Sequence, residues 1–518
     1  MTYTFNLVEQ PWIPCLKADG SISLLSLREV LVQAHGLAGL AGDSPLETAA
    51  LYRLLLAVLH SALRGPGSAR VWAELWQAGS WDQPLVMSYL DKWASRFDLF
   101  DPDHPFYQAP DDRVRPKSII SLAMEMVSGN NATLFDHHTE DAPTLLEPRK
   151  AARMLLTAQT FGLAGLSGLK ESKFTDAPWG RGIVFLIEGR NLFETLCLNF
   201  LRYGGDSPSG LGGGEEDRPA WELENPCSPD RMVPTGYLDY LTWQSRKILL
   251  LPQGNEREPV VGTMTIAPGL RLGAGVLDPQ KHYRRDEQRG YLPLRFQEGR
   301  ALWRDNAALF QLRGSGTQRP PLALEWVARL ADEEYIDRSR SFSLLALGMA
   351  NNQAKVEFFR EEHMPVPLVY LERDDLVEGL ANALSLAEQA YAGLAWATRW
   401  MAALVISPVS DGKQWPQVSD TVREEAMGLA SHWGVDRSFW GQLELPFLAL
   451  LEGLPTQPEP SAAEWQRTVM HAARAALEFG ARQAGDGATA LKAGVRARAF
   501  LAGSLKKLFP RSEKEMPV

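Results

Sequence analysis

The sequence predicts a large mixed α/β region over residues 1–372, followed by an all-α region over 373–518. Three observations carry that expectation. From 374 to about 509 the apolar residues recur at helical spacing, with helix-start signals repeated along the stretch. Upstream, short strand-like runs alternate with helices and long turn-rich connections. The composition, 45% apolar and 22% charged residues, is that of an ordinary globular chain and excludes a disordered, collagen-like or coiled-coil protein.

The first strong helix is 45–64. Ser44 suits its N-cap, Pro45 the first helical position, and Glu47 completes an S-x-x-E capping box; Gly65-Pro66-Gly67 stops it. A second helix is expected over 147–163, with Leu155, Leu156 and Phe161 on its apolar side. Strand-like runs are 183–187, 247–251, 260–266 and 366–371. Gly204 to Pro219 holds six glycines and two prolines and reads as a surface loop. In the C-terminal region, Asp375 with Glu378, Thr421 with Glu424 and Ser461 with Glu464 are cap-plus-glutamate pairs. Helices follow over about 375–406, 420–433, 437–452, 462–479 and 488–508, and their short connections favour an up-down bundle.

Composition narrows the function classes. The longest candidate membrane span, 394–407, carries Arg399 and stops at Pro408, short of the ~20 apolar residues a span needs. The opening shows no basic region followed by an apolar run, so no secretory signal is expected. Cys15, Cys197 and Cys227 are far apart and form no disulfide framework, which fits a reducing cytoplasm. A net charge of −10 argues against autonomous, non-specific nucleic-acid binding, because phosphate neutralisation needs a basic face. It leaves room for local basic patches.

No GxSxG, HExxH or P-loop lysine motif is present. Gly210 to Gly214 is followed by Glu215, Glu216 and Asp217, which would repel a phosphate. Asp136-His137-His138, with Glu140 and Asp141, is the densest cluster of metal-ligand residues. Adjacent histidines on a strand point to opposite faces, so a polar loop is the plainer reading and a metal-dependent hydrolase the alternative.

Three segments suit nucleic acid. Residues 281–304 carry Lys281, Arg284, Arg285, Arg289, Arg295, Arg300 and Arg304, with Tyr283, Tyr291, Phe296 and Trp303 interleaved. Positive charge tracks a backbone and aromatic rings stack on bases; the alternative is a solvated charged face on a hairpin. The last helix, 487–512, carries Lys492, Arg496, Arg498, Lys506, Lys507 and Arg511 with no acidic residue; the alternative is an ordinary bundle helix. Asn351-Asn352-Gln353-Ala354 offers side-chain amides that both donate and accept, useful at base edges in a groove, although alone it reads as a polar turn.

Several segments, in order, resemble one family, the CasA large subunit of the type I-E CRISPR surveillance complex Cascade. They are Phe5-Asn6-Leu7 with Pro11-Trp12-Ile13-Pro14; Phe97-Asp98-Leu99-Phe100 with Pro105-Phe106-Tyr107-Gln108; Leu134-Phe135-Asp136-His137-His138; Gly236 through Gln244; and the 351–354 turn. The resemblance implies an irregular α/β N-terminal domain, a C-terminal four-helix bundle, and no catalytic activity. It implies that the protein reads a protospacer-adjacent motif in double-stranded DNA through the minor groove. It further implies help with duplex opening, so that guide RNA pairs with the target strand, and with recruiting a separate helicase-nuclease. The partners implied are guide RNA, double-stranded target DNA and the other Cascade subunits, with no membrane.

Residue by residue, Asn352, Gln353 and Ala354 match the turn that enters the groove, and Gln353 matches the glutamine wedge. Arg295 is the best positional match for a positively charged hairpin contact, with Lys355 a second candidate. The loop 128–138 matches the segment that contacts the guide-RNA handle, through Asn130, Asn131 and Phe135. Lys492, Arg496 and Lys506 suit the displaced strand or a neighbouring subunit. Some family members carry paired cysteines suggestive of zinc; this sequence lacks them, so no zinc and no other cofactor is expected.

Overall fold

The structure, a computed structural model, describes residues 3–123, 144–170, 172–203, 211–273, 275–312, 317–352, 355–408 and 418–510; of residues 351, 352 and 355 it describes the backbone. The chain forms two compact units. One comprises Met1–Leu302 and Leu312–Glu372, the other Trp303–Gln311 and Arg373–Val518. The turn to helix at 373 follows the change in apolar period. The excursion 303–311, which belongs to the second unit, has no counterpart in the linear division at 372.

The first unit is organised around helix Pro45–Leu63, which is buried along nearly its whole length. It is long and apolar enough to cross a membrane, unlike the 394–407 stretch singled out in sequence, yet 89% of the qualifying window is buried inside the protein. Ser44 caps it by accepting from the Glu47 amide. The Glu47 carboxylate accepts from the Asp43 amide and forms ion pairs with Lys150 (3.1 Å) and Arg153 (2.6 Å). Arg64, at φ 50°, ends the helix just before the glycine-proline-glycine stop. Helix Pro148–Phe161 packs alongside it.

The strands of this unit pair antiparallel throughout the described residues. Strand Val184–Glu188 pairs with Ser341–Asn352, which pairs in turn with Lys355–Pro367. Val184–Glu188 is apolar and almost wholly buried. Its other edge is covered by coil, with the Ile183 and Phe185 amides donating to the Leu294 and Gln280 carbonyls, which closes that side of the sheet to a foreign strand. Arg246–Asn255 and Glu258–Pro268 form a second long hairpin.

Two sequence expectations fail here. The run 366–371 is not a strand: pairing ends at Pro367, which has no amide to extend a ladder, and Val369–Glu372 is helical. Residues 211–219 are not a surface loop throughout. Asp217 is buried, and its carboxylate accepts from the Leu238 and Asp239 amides and the Tyr203 hydroxyl, each at 2.9 Å. Residues 204–210 lie outside the described residues.

The second unit is helical. Asp374–Ile406 contacts Asp420–His432, Val435–Gly441, Pro458–Gln483 and Ala488–Leu508. Alanine is the commonest buried residue on its packed side and on that of the last helix, which lets backbones approach closely. At Gly393 a β-carbon would lie 2.5 Å from the Ser504 hydroxyl, so no larger residue fits without displacement. The expected caps shift. Ser419, not Thr421, accepts from the Val422 amide. Asp375 pairs with Arg373 and caps nothing. Ser461 lies inside a helix that begins at Pro458, where a missing amide costs nothing in the first turn. Trp303 from the excursion stacks among Trp440, Phe447 and Trp465, and Arg304 lies 3.5 Å above the Trp440 ring while pairing with Glu388 at 2.7 Å.

Candidate nucleic-acid interface

The longest hairpin among the described residues leads into the amide-rich turn. Strands Ser341–Asn352 and Lys355–Pro367 remain paired, across one register shift, to Asn351–Val356 and Asn352–Lys355, leaving Gln353 and Ala354 between the last paired positions. Gln353 and Ala354 themselves lie outside the described residues. Strand Val184–Glu188 supports the hairpin only from Ser343 to Leu347. Beyond Leu347 the hairpin continues as two strands for five residues, about 17 Å at 3.3 Å per residue. A bulge between Ala350 and Asn351 interrupts the ladder near the end and adds local twist.

The base of the hairpin is fastened by charge-assisted bonds. Arg360 donates to the Arg300 carbonyl (3.1 Å), pairs with Glu362 (3.0 Å), and lies over Phe358 and Phe296. Glu362 also accepts from the Leu302 amide at 2.7 Å. Glu188 accepts from Ser343 (2.8 Å) and sits 2.7 Å from His363, which also meets Glu361 at 3.1 Å. The bond to Glu188, then that to Glu361, raises the His363 pKa to about 10, so the imidazole is protonated at neutral pH.

The fold sorts the basic segment 281–304 sharply. Lys281 is buried and donates to the Pro178 and Arg181 carbonyls, both at 2.7 Å; burial lowers its pKa to about 8. Tyr283, Phe296 and Trp303 are buried ring contacts of the core and are not available to stack on bases. Arg304 is committed to Glu388 and Trp440. The exposed members are Arg284, Arg285 and Arg289 on the small hairpin Tyr283–Asp286/Gly290–Pro293, and Arg295 beyond it.

Arg295 stands in a cluster assembled from four separate stretches. Partial burial and then the neighbouring Arg181 guanidinium lower its pKa, against Asp176. Arg181 pairs with Asp176 at 2.6 Å. Arg246 is buried, donates to the Thr175 and Leu163 carbonyls (2.8 Å each), and also feels Asp176; burial lowers its pKa to about 10. Arg181 and Arg246 stood in no basic run and carried no sequence signal. The only clue available was that each is a charged residue beside an apolar strand run.

In the second unit, Lys492 and Lys506 are exposed on the last helix and Arg496 is half-buried with contacts of its own. Arg498 is neutralised by Glu478 of the preceding helix through two bonds of 2.6 and 2.8 Å, so this helix is less basic in the fold than in the sequence. Asn130, Asn131, Phe135 and the Asp136-His137-His138 cluster lie outside the described residues. Among the described residues no group of three or more histidines, cysteines or carboxylates is arranged to hold a metal.

These features define a protein with a long β-hairpin that ends in an amide-rich turn, a cation cluster beside that hairpin and a separate helical unit. The family model for CRISPR-associated protein Cse1 matches residues 6–476. The chain is 34% identical over 501 residues to the CRISPR-associated protein CasA/Cse1 of Thermus thermophilus, covering 94% of this chain and 95% of that one. It superimposes on the crystal structure of Thermus thermophilus CasA with a TM-score of 0.80 at 30% identity, covering 97% of this chain and 99% of that one. A chain of a CRISPR RNA-guided surveillance complex shares the fold at 21% identity, TM-score 0.74, over 96% of this chain and 100% of that one. The chain belongs to the CRISPR-associated Cse1 family, and its mixed α/β unit followed by a helical bundle is the fold of that family.

Proposed function

We propose that this chain is the large, non-catalytic subunit of a type I-E RNA-guided surveillance complex. In this reading it recognises the protospacer-adjacent motif in double-stranded DNA and starts duplex opening. The observation that carries the proposal is the hairpin pairing, with Asn352 paired to Lys355 and Gln353 and Ala354 between them at the end of the two strands. A minor groove about 6 Å wide excludes a helix but takes a small, uncharged turn, and its code is degenerate, which suits a short and permissive motif. Base pairing to the guide then supplies most of the sequence specificity. Gln353 acts as the wedge, offsetting a stacking loss of about a few kcal/mol per step, while Lys355 contributes positive charge at the tip and Arg295 contributes it nearer the hairpin base.

The segment with Asn130, Asn131 and Phe135 contacts the guide-RNA handle and anchors the subunit. Lys492, Arg496 and Lys506 meet the displaced strand or a neighbouring subunit, and strand cutting belongs to the separate helicase-nuclease that the complex recruits. Three buried free thiols, Cys15, Cys197 and Cys227, suit a reducing cytoplasm.

The test uses the assembled complex with guide RNA and matched duplexes that differ only in the flanking trinucleotide. Asn352→Ala with Gln353→Ala is expected to abolish trinucleotide-dependent binding and to leave binding to pre-opened DNA intact. Equal binding of wild type and variant to every duplex would make the subunit a scaffold rather than a reader.

A further inference from the structure

The cluster around Asp176 holds more positive charge than it neutralises. Asp176 interacts with Arg181, Arg246, Lys281 and Arg295. The other nearby carboxylate, Asp278, accepts from the Trp179 indole (2.6 Å), the Tyr240 hydroxyl and the Gln280 amide (2.8 Å). Two acids therefore face four cations, and Arg53 adds further positive potential at Lys281.

The backbone enforces this proximity. The Ile183 amide donates to the Leu294 carbonyl at 2.8 Å, which lays 181–183 beside 293–295. Gly182, at φ +87°, permits the approach; a β-carbon there would lie 2.7 Å from the Pro293 side chain. Buried Lys281 then ties down the Arg181 carbonyl from behind.

The two outer arginines keep donors in reserve. Arg181 uses Nε for Asp176, and among the described residues neither its Nη atoms nor the Arg295 guanidinium has a hydrogen-bond partner. Guanidinium forks match the geometry of phosphate oxygens, and an external anion is what relieves two adjacent like charges. The segment carrying Arg295 continues to the base of the long hairpin, through the Arg300 carbonyl to Arg360 and the Leu302 amide to Glu362.

We infer that Arg181 and Arg295, with Arg246 and Lys281 behind them, form a seat for phosphodiester groups of the target duplex. The seat grips the duplex beside the point where the hairpin tip reads it. This rests on the reading of that hairpin as the duplex contact. The seat carries no sequence information; it fixes the register in which the tip meets the groove.

The test compares wild type with Arg181→Gln/Arg295→Gln in the guide-loaded complex, measuring duplex affinity from about 50 to about 200 mM salt. Loss of two phosphate contacts is expected to reduce the log–log salt slope by about 1.8, at ~0.9 per contact. Affinity should fall alike for every flanking trinucleotide, and Arg181→Lys/Arg295→Lys should keep the wild-type slope. If the double variant fails to assemble, each single Gln variant is read against a slope change of about 0.9. An unchanged slope overturns the seat. Loss of assembly onto guide RNA by the single variants, with an unchanged duplex slope in those that assemble, assigns the phosphates to the guide and overturns the duplex assignment. A wild-type complex indifferent to the trinucleotide overturns the reading of the tip instead, and the slope still decides the seat.

Discussion

The two units solve opposite problems with different chemistry. Among the described residues, every buried polar or charged side chain lies in the first unit except Asn306 and Thr398. Helices satisfy their own backbone, so the second unit needs only apolar and small side chains between them. The first unit is full of connections whose carbonyls and amides have no ladder partner, and buried unpaired backbone groups are costly. Arg53, Gln159, Arg246, Lys281 and Asp217 reach those groups and hold irregular chain in place. The irregularity is what allows distant segments to converge on the hairpin base.

This contrast implies two different weak points. The largest loss is expected from Trp303→Ala in the second unit. A buried indole removed from a four-ring cluster costs about 3–5 kcal/mol, read by denaturant unfolding followed through fluorescence. A comparable loss from a surface-type substitution on the same helices would break the contrast.

Arg246→Met should come next, at about 3 kcal/mol, because it leaves the Thr175, Ser245 and Leu163 carbonyls without their charged donor. Hydrogen exchange is expected to quicken at the hairpin Gly165–Leu169/Ser172–Phe174, which these contacts flank, while the bundle stays protected. A neutral Arg246→Met would show that the buried cations are incidental to the fold.

The smallest effect concerns pH and sharpens the contrast without perturbing packing. The folded His363 pKa is raised to about 10, from about 6.5 when unfolded. Its contribution is therefore complete below about pH 6.5 and is lost as pH rises through about 10. The side chain is half exposed, so solvent weakens the effect. The stability difference between wild type and His363→Gln should shrink between pH 6 and pH 10; a constant difference contradicts the assignment of a charged imidazole.

The same contrast explains what the sequence made legible. Pro45–Leu63, Pro148–Phe161 and most bundle helices announce themselves through period and local stop signals, but the single helix expected over 437–452 is two, Val435–Gly441 and Glu444–Gly453. So does the pair of long strands around 247–266. Two of the residues that carried the family resemblance are clamps: Trp12 donates to the Leu7 carbonyl, and Gln108 to the Leu99 carbonyl while accepting from the Leu250 amide. They identify the fold and say little about a site. The interior fate of Lys281, Tyr283, Phe296 and Trp303 was illegible, because a basic-aromatic run looks alike whether it faces solvent or core. The Arg181–Arg295 association was equally hidden, since the two residues are far apart in sequence and are brought together by the coil that covers a strand edge.

The central claim, that the hairpin tip reads and parts the duplex, is tested most directly by a fluorescent adenine analogue in the first base pair beyond the flanking trinucleotide. With the guide-loaded complex, the account expects fluorescence to rise only when the accepted trinucleotide is present. It expects the rise to vanish in Gln353→Ala while pre-opened DNA still binds. A rise of equal size in wild type and Gln353→Ala, or one indifferent to the trinucleotide, would contradict it.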